Sequence, residues 1–422
     1  MAVKSASLAE LDLFSPPVVQ TAVEREYNTD YRPITQLSDE APVLFDITEQ
    51  KHFIDLYNSQ LYVKLKIVKK DGAAVTTAKK VIPVNNILHS LWEKITVTIE
   101  GKEVTTSNKA YPYKAMFSTL LSYQKDTKDS QLQAQGYFKD DSKDMDKITE
   151  NVGGARRNKL FQKSNTVELQ GPLYEDVFMQ KRYLLNNTRL TIKLDRMPQE
   201  FILMNLETAV SYKLTLQDVV FKARMVDLDP SVQYSIARTL ETQPALYPYT
   251  RREIRVENLP IGFTSGTLEN IFPNQLPSRI ITALVPAKAY NGDVKQNPFN
   301  FKPFDLNRIS LTVNGTTIAT YTPTFDDEGT GVAPSYLSLY EAFKELGNDF
   351  SNDINLSDYS RSYALYAFNI KPTFRSSTLP DQGHTRLSIT FKTALTEAAC
   401  LLIHAETPAL MEISSTRNVI LK

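Results

Sequence analysis

The chain has 422 residues, 42% apolar and 23% charged, enough for more than one hydrophobic core and too apolar for wholesale disorder. Forty-eight Lys and Arg balance forty-eight Asp and Glu, so no net field draws the protein to a polyanion, and a DNA-coating role is disfavoured. The single cysteine, Cys400, excludes an intrachain disulfide, and no apolar run approaches the ~20 residues of a membrane-spanning helix.

Residues 1–44 read as an extended N-terminal arm, because Pro16, Pro17, Pro33 and Pro42 stand among scattered charges without periodicity. The first fifty residues carry Lys4, Arg25 and Arg32 against nine acids, so the arm is expected to meet protein and not nucleic acid. Met1–Leu13 has no basic stretch followed by an apolar run. No secretory signal is expected, and the sequons at Asn186, Asn314 and Asn355 read as chance matches.

From Leu61 the pattern changes. Leu61, Val63, Leu65 and Ile67 alternate with Tyr62, Lys64 and Lys66, which predicts a half-buried strand ending at an Asp71-Gly72 turn. Ile95, Val97 and Ile99 alternate in the same way before a turn at Gly101, and Tyr113, Phe117 and Leu120 follow at helical spacing. Trp92, just before that strand, is expected in the core. Residues 124–165 interrupt the pattern with alternating Lys and Asp, including Asp140, Asp141, Asp144 and Asp146, and read as a solvated outer loop or one that clasps a neighbour. Within it, Asn151 to Arg157 holds Gly153 and Gly154 and reads as a flexible loop tip.

The same series then recurs about 200 residues later. Ile309, Leu311 and Val313 alternate, Asn314-Gly315 supplies a hairpin turn, and Tyr336, Tyr340, Phe343 and Leu346 follow at helical spacing. Thr188 to Leu194 likewise matches Thr385 to Phe391 in its inward and outward alternation. Two elements repeated in order at that offset imply a duplicated domain. The expected class is all-β: two tandem antiparallel jelly-roll β-sandwiches with short helices in loops. The boundaries are read as arm 1–44, first jelly roll 45–228, linker 229–248 with Pro230, Pro244 and Pro248, second jelly roll 249–413, and C-terminal tail 414–422.

Catalytic chemistry finds little material. His52, His89, His384 and His404 are scattered without metal-ligand spacing, and Cys400 lies in the apolar run Ala398–Ile403, where a plain core thiol is expected. Asp326-Asp327-Glu328-Gly329 lacks the ligand pattern of a calcium loop and reads as a solvated turn. Only 14 glycines are present, and no phosphate-cradling loop is among them. No catalytic residue, metal or cofactor is expected, and no acid isolated in an apolar strand stands out.

Pro83-Val84-Asn85, Leu88-His89-Ser90-Leu91, Tyr111-Pro112-Tyr113 and Leu120-Leu121-Ser122-Tyr123 together resemble the major capsid protein of Polinton (Maverick) elements and adintoviruses. Gly171-Pro172-Leu173, Leu184-Leu185-Asn186, Gln275-Leu276-Pro277, Asn297-Pro298-Phe299-Asn300-Phe301, Gly347-Asn348-Asp349 and Arg417-Asn418-Val419 extend the likeness from about residue 43 to the end. The resemblance implies a double jelly-roll subunit of the adenovirus-hexon type, trimeric, tiling an icosahedral shell around double-stranded DNA. It implies no catalytic residues. The partners would be other copies of the chain, penton proteins and minor capsid proteins, with no sequence-specific nucleic acid, and the place of work would be the virion capsid after synthesis inside the host cell.

Three chains with two similar sandwiches each give six lobes and a hexagonal footprint, so a homotrimer is expected. Asn297, Pro298, Phe299, Phe301 and Phe304, with Tyr247 and Tyr249, are candidates for the trimer interface, burial in their own domain being the other reading. Related viruses encode a protease that cuts after Gly-Gly, which makes Gly153-Gly154 a candidate protease-sensitive loop. The alternatives are a carbohydrate-binding or adhesion sandwich, which would favour exposed aromatic platforms, and a jelly-roll glycoside hydrolase, which needs two carboxylates at a set separation.

Overall fold

The computed structural model describes residues 20–48, 51–75, 81–105, 108–207, 211–273, 275–343, 351–370 and 382–422. The strand at Leu61 forms as its alternation dictates: Leu61, Val63, Leu65 and Ile67 are buried while Tyr62, Lys64 and Lys66 stay half-exposed. It belongs to a first series of strands, β1 (Val23–Tyr31), β2 (Val43–Ile47), β3 (Phe53–Lys69), β4 (Trp92–Ile99), β5 (Lys102–Glu103), β6 (Val167–Pro172), β7 (Leu190–Arg196) and β8 (Tyr212–Leu228). A second series comes after it: β9 (Ala245–Leu259), β10 (Ser265–Glu269), β11 (Arg279–Pro286), β12 (Leu306–Val313), β13 (Thr316–Tyr321), β14 (Leu365–Asn369), β15 (Thr385–Phe391) and β16 (Ala399–Ile413).

The first series pairs as β1-β8-β3-β6 and β2-β7-β4-β5, and the second as β9-β16-β11-β14 and β10-β15-β12-β13. Each strand thus finds its counterpart eight strands later, in the pairing order of a jelly roll. Ile95, Val97 and Ile99 lie on β4 and Ile309, Leu311 and Val313 on its counterpart β12. Leu190, Ile192 and Leu194 lie on β7 and Leu387, Ile389 and Phe391 on β15. Even the turns correspond. Glu100 and Gly101 join β4 to β5 with φ of 49° and 75°, and Asn314 and Gly315 join β12 to β13 with φ of 49° and 79°, the left-handed pair that a two-residue hairpin requires.

Helices fill the connections between strands, the longer ones being α1 (Tyr111–Ser122), α2 (Val152–Phe161), α3 (Pro230–Leu240) and α4 (Ala333–Phe343). Leu346 and Gly347-Asn348-Asp349 lie outside the described residues, as do Met1–Leu13, Pro16 and Pro17. Three expected boundaries shift. Val23–Tyr31, placed in the arm, pairs with β8 as the edge of the first sandwich. The linker is largely α3, whose N-cap Asp229 accepts from the Ser231 N–H. The tail returns to the sheet, with Val419–Leu421 pairing with the end of β16.

Two cores result. Inward residues of the second sandwich, among them Ile280, Leu284, Leu401 and Ile403, form one cluster. Their neighbours Ile281, Ala283, Val285, Cys400 and Leu402, pointing the other way, join the cluster that contains the first sandwich's core. The sheet of β11 and β16 is therefore buried on both faces, in keeping with its largely apolar strands, where Thr282 is the polar residue inside β11.

Candidate functional site

The seam between the sandwiches gathers most of the residues singled out by sequence. Asn297, Pro298, Phe299 and Phe301 are buried there. The Phe299 ring lies 5.7 Å from Tyr113 and 6.2 Å from Phe201, and Phe301 stacks on Phe117 of α1 at 5.5 Å and 19°. The Tyr247 hydroxyl donates to the Tyr183 carbonyl at 3.1 Å and accepts from the Leu185 N–H at 3.2 Å. These side chains do join a first sandwich to a second, but inside one chain. Phe304 and Tyr249 are only half-buried and keep an outward edge.

Residues 124–165, expected as a solvated outer loop or one that clasps a neighbour, contact the second sandwich of the same chain. Asp140 is buried, pairs with Arg157 at 2.7 Å, and accepts from the side-chain amides of Asn85 and Asn297 at 3.2 Å each. Lys139 reaches Asp358 at 2.8 Å, and the Tyr363 hydroxyl donates to the Asp140 carbonyl at 2.9 Å. Asp146 accepts from the Asn297 N–H at 2.8 Å, while Asp144 pairs with Lys147 at the surface. The Lys128 ammonium donates to the carbonyls of Leu120 and Asn352, and burial pulls its pKa down to about 7. Part of the segment is wet, with Lys125, Asp126, Asp129, Lys143 and Lys147 exposed, while Lys128, Lys139 and Asp146 reach across the seam and Asp140 is buried against Arg157 of the same segment.

Gly153 and Gly154 lie in the first turn of α2 and are buried, where a loop tip was expected. The Asn151 side chain caps this helix by accepting from the Gly154 N–H at 3.1 Å. Gly153 is needed because a Cβ there would collide with the carbonyls of Phe138 and Lys139.

An ionic cluster lies deeper in the seam. Lys114 of α1 meets Glu175 at 2.7 Å and Asp176 at 2.9 Å, all three shut off from solvent. Burial alone would pull the Lys114 ammonium down, but Asp176 and Glu175 more than offset it. Burial also lifts the Glu175 carboxyl above its usual range, with Lys114 pulling it back. Across the seam the Arg252 N–H donates to Asp176 at 3.1 Å, and Glu406 accepts from Arg252 and Arg279. Burial would raise Glu406, yet Arg279, His404 and Arg252 hold it at about 2. His404, 5.4 Å from the Phe117 ring, is kept neutral by burial, with its pKa lowered to about 3.

The arrangement is a clamp whose charged groups are buried and paired with one another. Burial raises the Cys400 thiol to about 11, and it donates to Asn258. Burial lowers His89 to about 4 between Tyr111 and Gln135. His52 and His384 sit in surface pairs with Asp227 and Glu269. Asp326 closes its own turn by accepting from the Glu328 and Thr330 N–H groups. Among the described residues no group of three or more His, Cys, Asp or Glu could hold a metal. Sequence reading missed Lys114, Glu175 and Glu406. The available signals were a lysine inside the apolar helix Tyr111–Leu121 and an acid three residues past the apolar run Ala399–Ile403.

No protein-family model matches the chain. An uncharacterized protein of Caenorhabditis elegans, F54H12.2, is 23% identical, the match covering 96% of this chain and 99% of that one. Among solved structures, a chain of the Sputnik virophage seen by cryo-EM superposes with a TM-score of 0.64 at 12% identity, over 100% of this chain and 93% of that one. The crystal structure of PBCV-1 VP54, fitted into a Sputnik reconstruction, gives 0.60 at 11% over 97% and 98%. The mavirus major capsid protein gives 0.53 at 9% over 100% and 96%. At these identities the likeness is one of fold, the double jelly roll of viral major capsid proteins.

Proposed function

We propose that the chain is a major capsid protein of the Polinton (Maverick) or adintovirus kind, assembling as pseudo-hexameric homotrimers that tile an icosahedral shell around double-stranded DNA. The observation that carries this reading is the identical strand order of the two sandwiches, locked by a buried intrachain seam into one rigid two-lobed unit. Three such units around a threefold axis present six similar lobes, and hexagons tile. The full-length fold likeness to structures of capsid proteins and virus particles supports it.

Penton and minor capsid proteins are the expected partners, and the virion capsid the place of work. We divide the chain at α3, with the first jelly roll beginning at β1. Since Asn297, Phe299, Phe301 and Tyr247 are consumed by the seam, Phe304 and Tyr249 are the candidate interface residues that keep an edge for a neighbouring chain. Native mass spectrometry and electron microscopy of the expressed protein test the reading. Trimers with a six-lobed outline, or shells, are expected; a stable monomer or dimer across micromolar concentrations and all salt conditions rules the capsomer out.

A further inference from the structure

Arg196, the last residue of β7, is 9% exposed, and none of its three guanidinium nitrogens has a hydrogen-bond partner among the described residues. An unpaired buried cation is costly, and arginine cannot escape by losing its proton: burial lowers its pKa only to about 10, so it stays charged at neutral pH. The Trp92 ring, 5.5 Å from the guanidinium carbon, offers a cation–π contact and no acceptor.

Three acids nearby are engaged elsewhere. Asp39 pairs with Lys213 at 2.8 Å, Asp195 with Lys193 at 2.8 Å, and Glu207 accepts from the Tyr212 hydroxyl at 2.9 Å. Arg196 lines a cavity of about 900 Å³ between the two sandwiches, roomy enough for an oxyanion and its waters. Lys70 and Lys295 reach the same cavity, one from each half of the chain, while Glu40 and Glu200 stand exposed. A planar guanidinium with two parallel N–H donors is the natural partner of a carboxylate or phosphate oxygen pair.

We propose that this cavity is an oxyanion site, in which Arg196 grips a phosphate or carboxylate group and Lys70 and Lys295 flank it. The bound anion would bridge the two sandwiches beside the seam, and the inference does not depend on the capsid reading. Its source is either a free small anion or a carboxylate side chain of a second copy.

The test is thermal unfolding of the full chain, titrated with inorganic phosphate against chloride at matched ionic strength, for wild type, Arg196→Met and Arg196→Lys. A free-anion site predicts a saturable rise in wild type, on the order of 5 °C at a hundredfold excess over Kd, weakened in Arg196→Lys and absent in Arg196→Met. A site filled by a second copy predicts that response only in dissociated protein, with Arg196→Met weakening the oligomer. In chloride, Arg196→Met should be at least as stable as wild-type monomer, because an unpaired charge has gone. Equal phosphate responses in wild type and Arg196→Met overturn the proposal. So does a loss of several degrees by Arg196→Met monomer in chloride, which would mean that the guanidinium is already satisfied within the chain.

Discussion

On the outer face of the first sandwich's β1-β8-β3-β6 sheet, Tyr62, Lys64 and Lys66 are half-exposed, and ion pairs such as Arg224–Glu26 at 2.8 Å and Lys222–Asp30 at 3.2 Å cross it. On the counterpart sheet of the second sandwich the same face carries Ile281, Ala283, Val285, Cys400 and Leu402, buried under α1 and the loops of the first half. Strand order is identical, so topology does not decide which face meets water. Side-chain chemistry does: alternation with lysine leaves a wet face, and an unbroken apolar run makes a middle layer. The duplicated unit has diverged so that one copy can be packed into the other.

The largest effect should come from giving the second sheet the first sheet's chemistry. Ala283→Lys would bury an unpaired ammonium in the seam and should cost more than about 4 kcal/mol, enough to separate or unfold the sandwiches in a urea titration. Lys114→Met should come next at roughly 3–5 kcal/mol, since it leaves Glu175 and Asp176 buried without their cation. Phe301→Ala removes the ring stacked on Phe117 and should cost about 3–5 kcal/mol. Trp92, the chain's only tryptophan, lies in the first half, so its fluorescence should report the loss although Phe301 belongs to the second half. An unchanged Trp92 transition in Phe301→Ala would show that the seam does not couple the two units.

Acid should open the seam before it opens either core. Burial holds folded His404 near 3 and His89 near 4, against about 6.5 unfolded, so below that pH the unfolded chain binds more protons than the folded one. Their contribution is fully present above about pH 6.5 and is lost as pH falls toward the folded values. Glu406, held at about 2, adds to the loss below its unfolded value of about 4.5, whereas Glu175, lifted by burial, works the other way. In His404→Leu the acid limb should flatten. Wild type should lose stability relative to the variant by up to ~1.4 kcal/mol per pH unit below pH 6, and parallel curves would contradict the buried neutral imidazole.

Much of this architecture was legible. Alternation at 61–67, 95–99 and 309–313 placed the strands, and the turn at Gly101 and the hairpin turn at Asn314-Gly315 ended two of them, because both signals are local. The run Ala398–Ile403 announced a buried strand. What stayed hidden was long-range pairing. Alternating Lys and Asp in 124–165 reads as wet by composition, and only the fold brings Asp140 to Arg157 and Lys139 to Asp358. The aromatic loop at 297–304 was read as a candidate contact between chains or as buried in its own domain, and within this chain Asn297, Pro298, Phe299 and Phe301 are buried against the first half, a long-range pairing that composition does not show.

A smaller effect is expected at Gly153. Gly153→Ala pushes a Cβ against the Phe138 and Lys139 carbonyls and should cost about 1–3 kcal/mol by thermal unfolding. Helical and buried, the Gly153-Gly154 bond should also stay whole in mature particles, which intact-mass measurement checks; a cut chain there would require α2 to unfold first.

The smallest effect tests the wet face itself. Lys66 stands on the outer side of β3, half-exposed and flanked by Lys64, which pairs with Glu168 at 3.1 Å across the surface. Lys66→Ala should change stability by no more than about 0.5 kcal/mol, because no core contact and no buried charge is lost. The same substitution should leave the oligomer unchanged, since a face laced with ion pairs lacks the charge-depleted centre of an obligate interface. If Lys66→Ala is silent in the isolated chain but shifts the proposed trimer to lower mass at micromolar concentration, then the first sheet is covered in that assembly by a neighbour. The two sheets would then differ only in which chain supplies their cover, and the contrast seen in a single chain would dissolve in the capsomer.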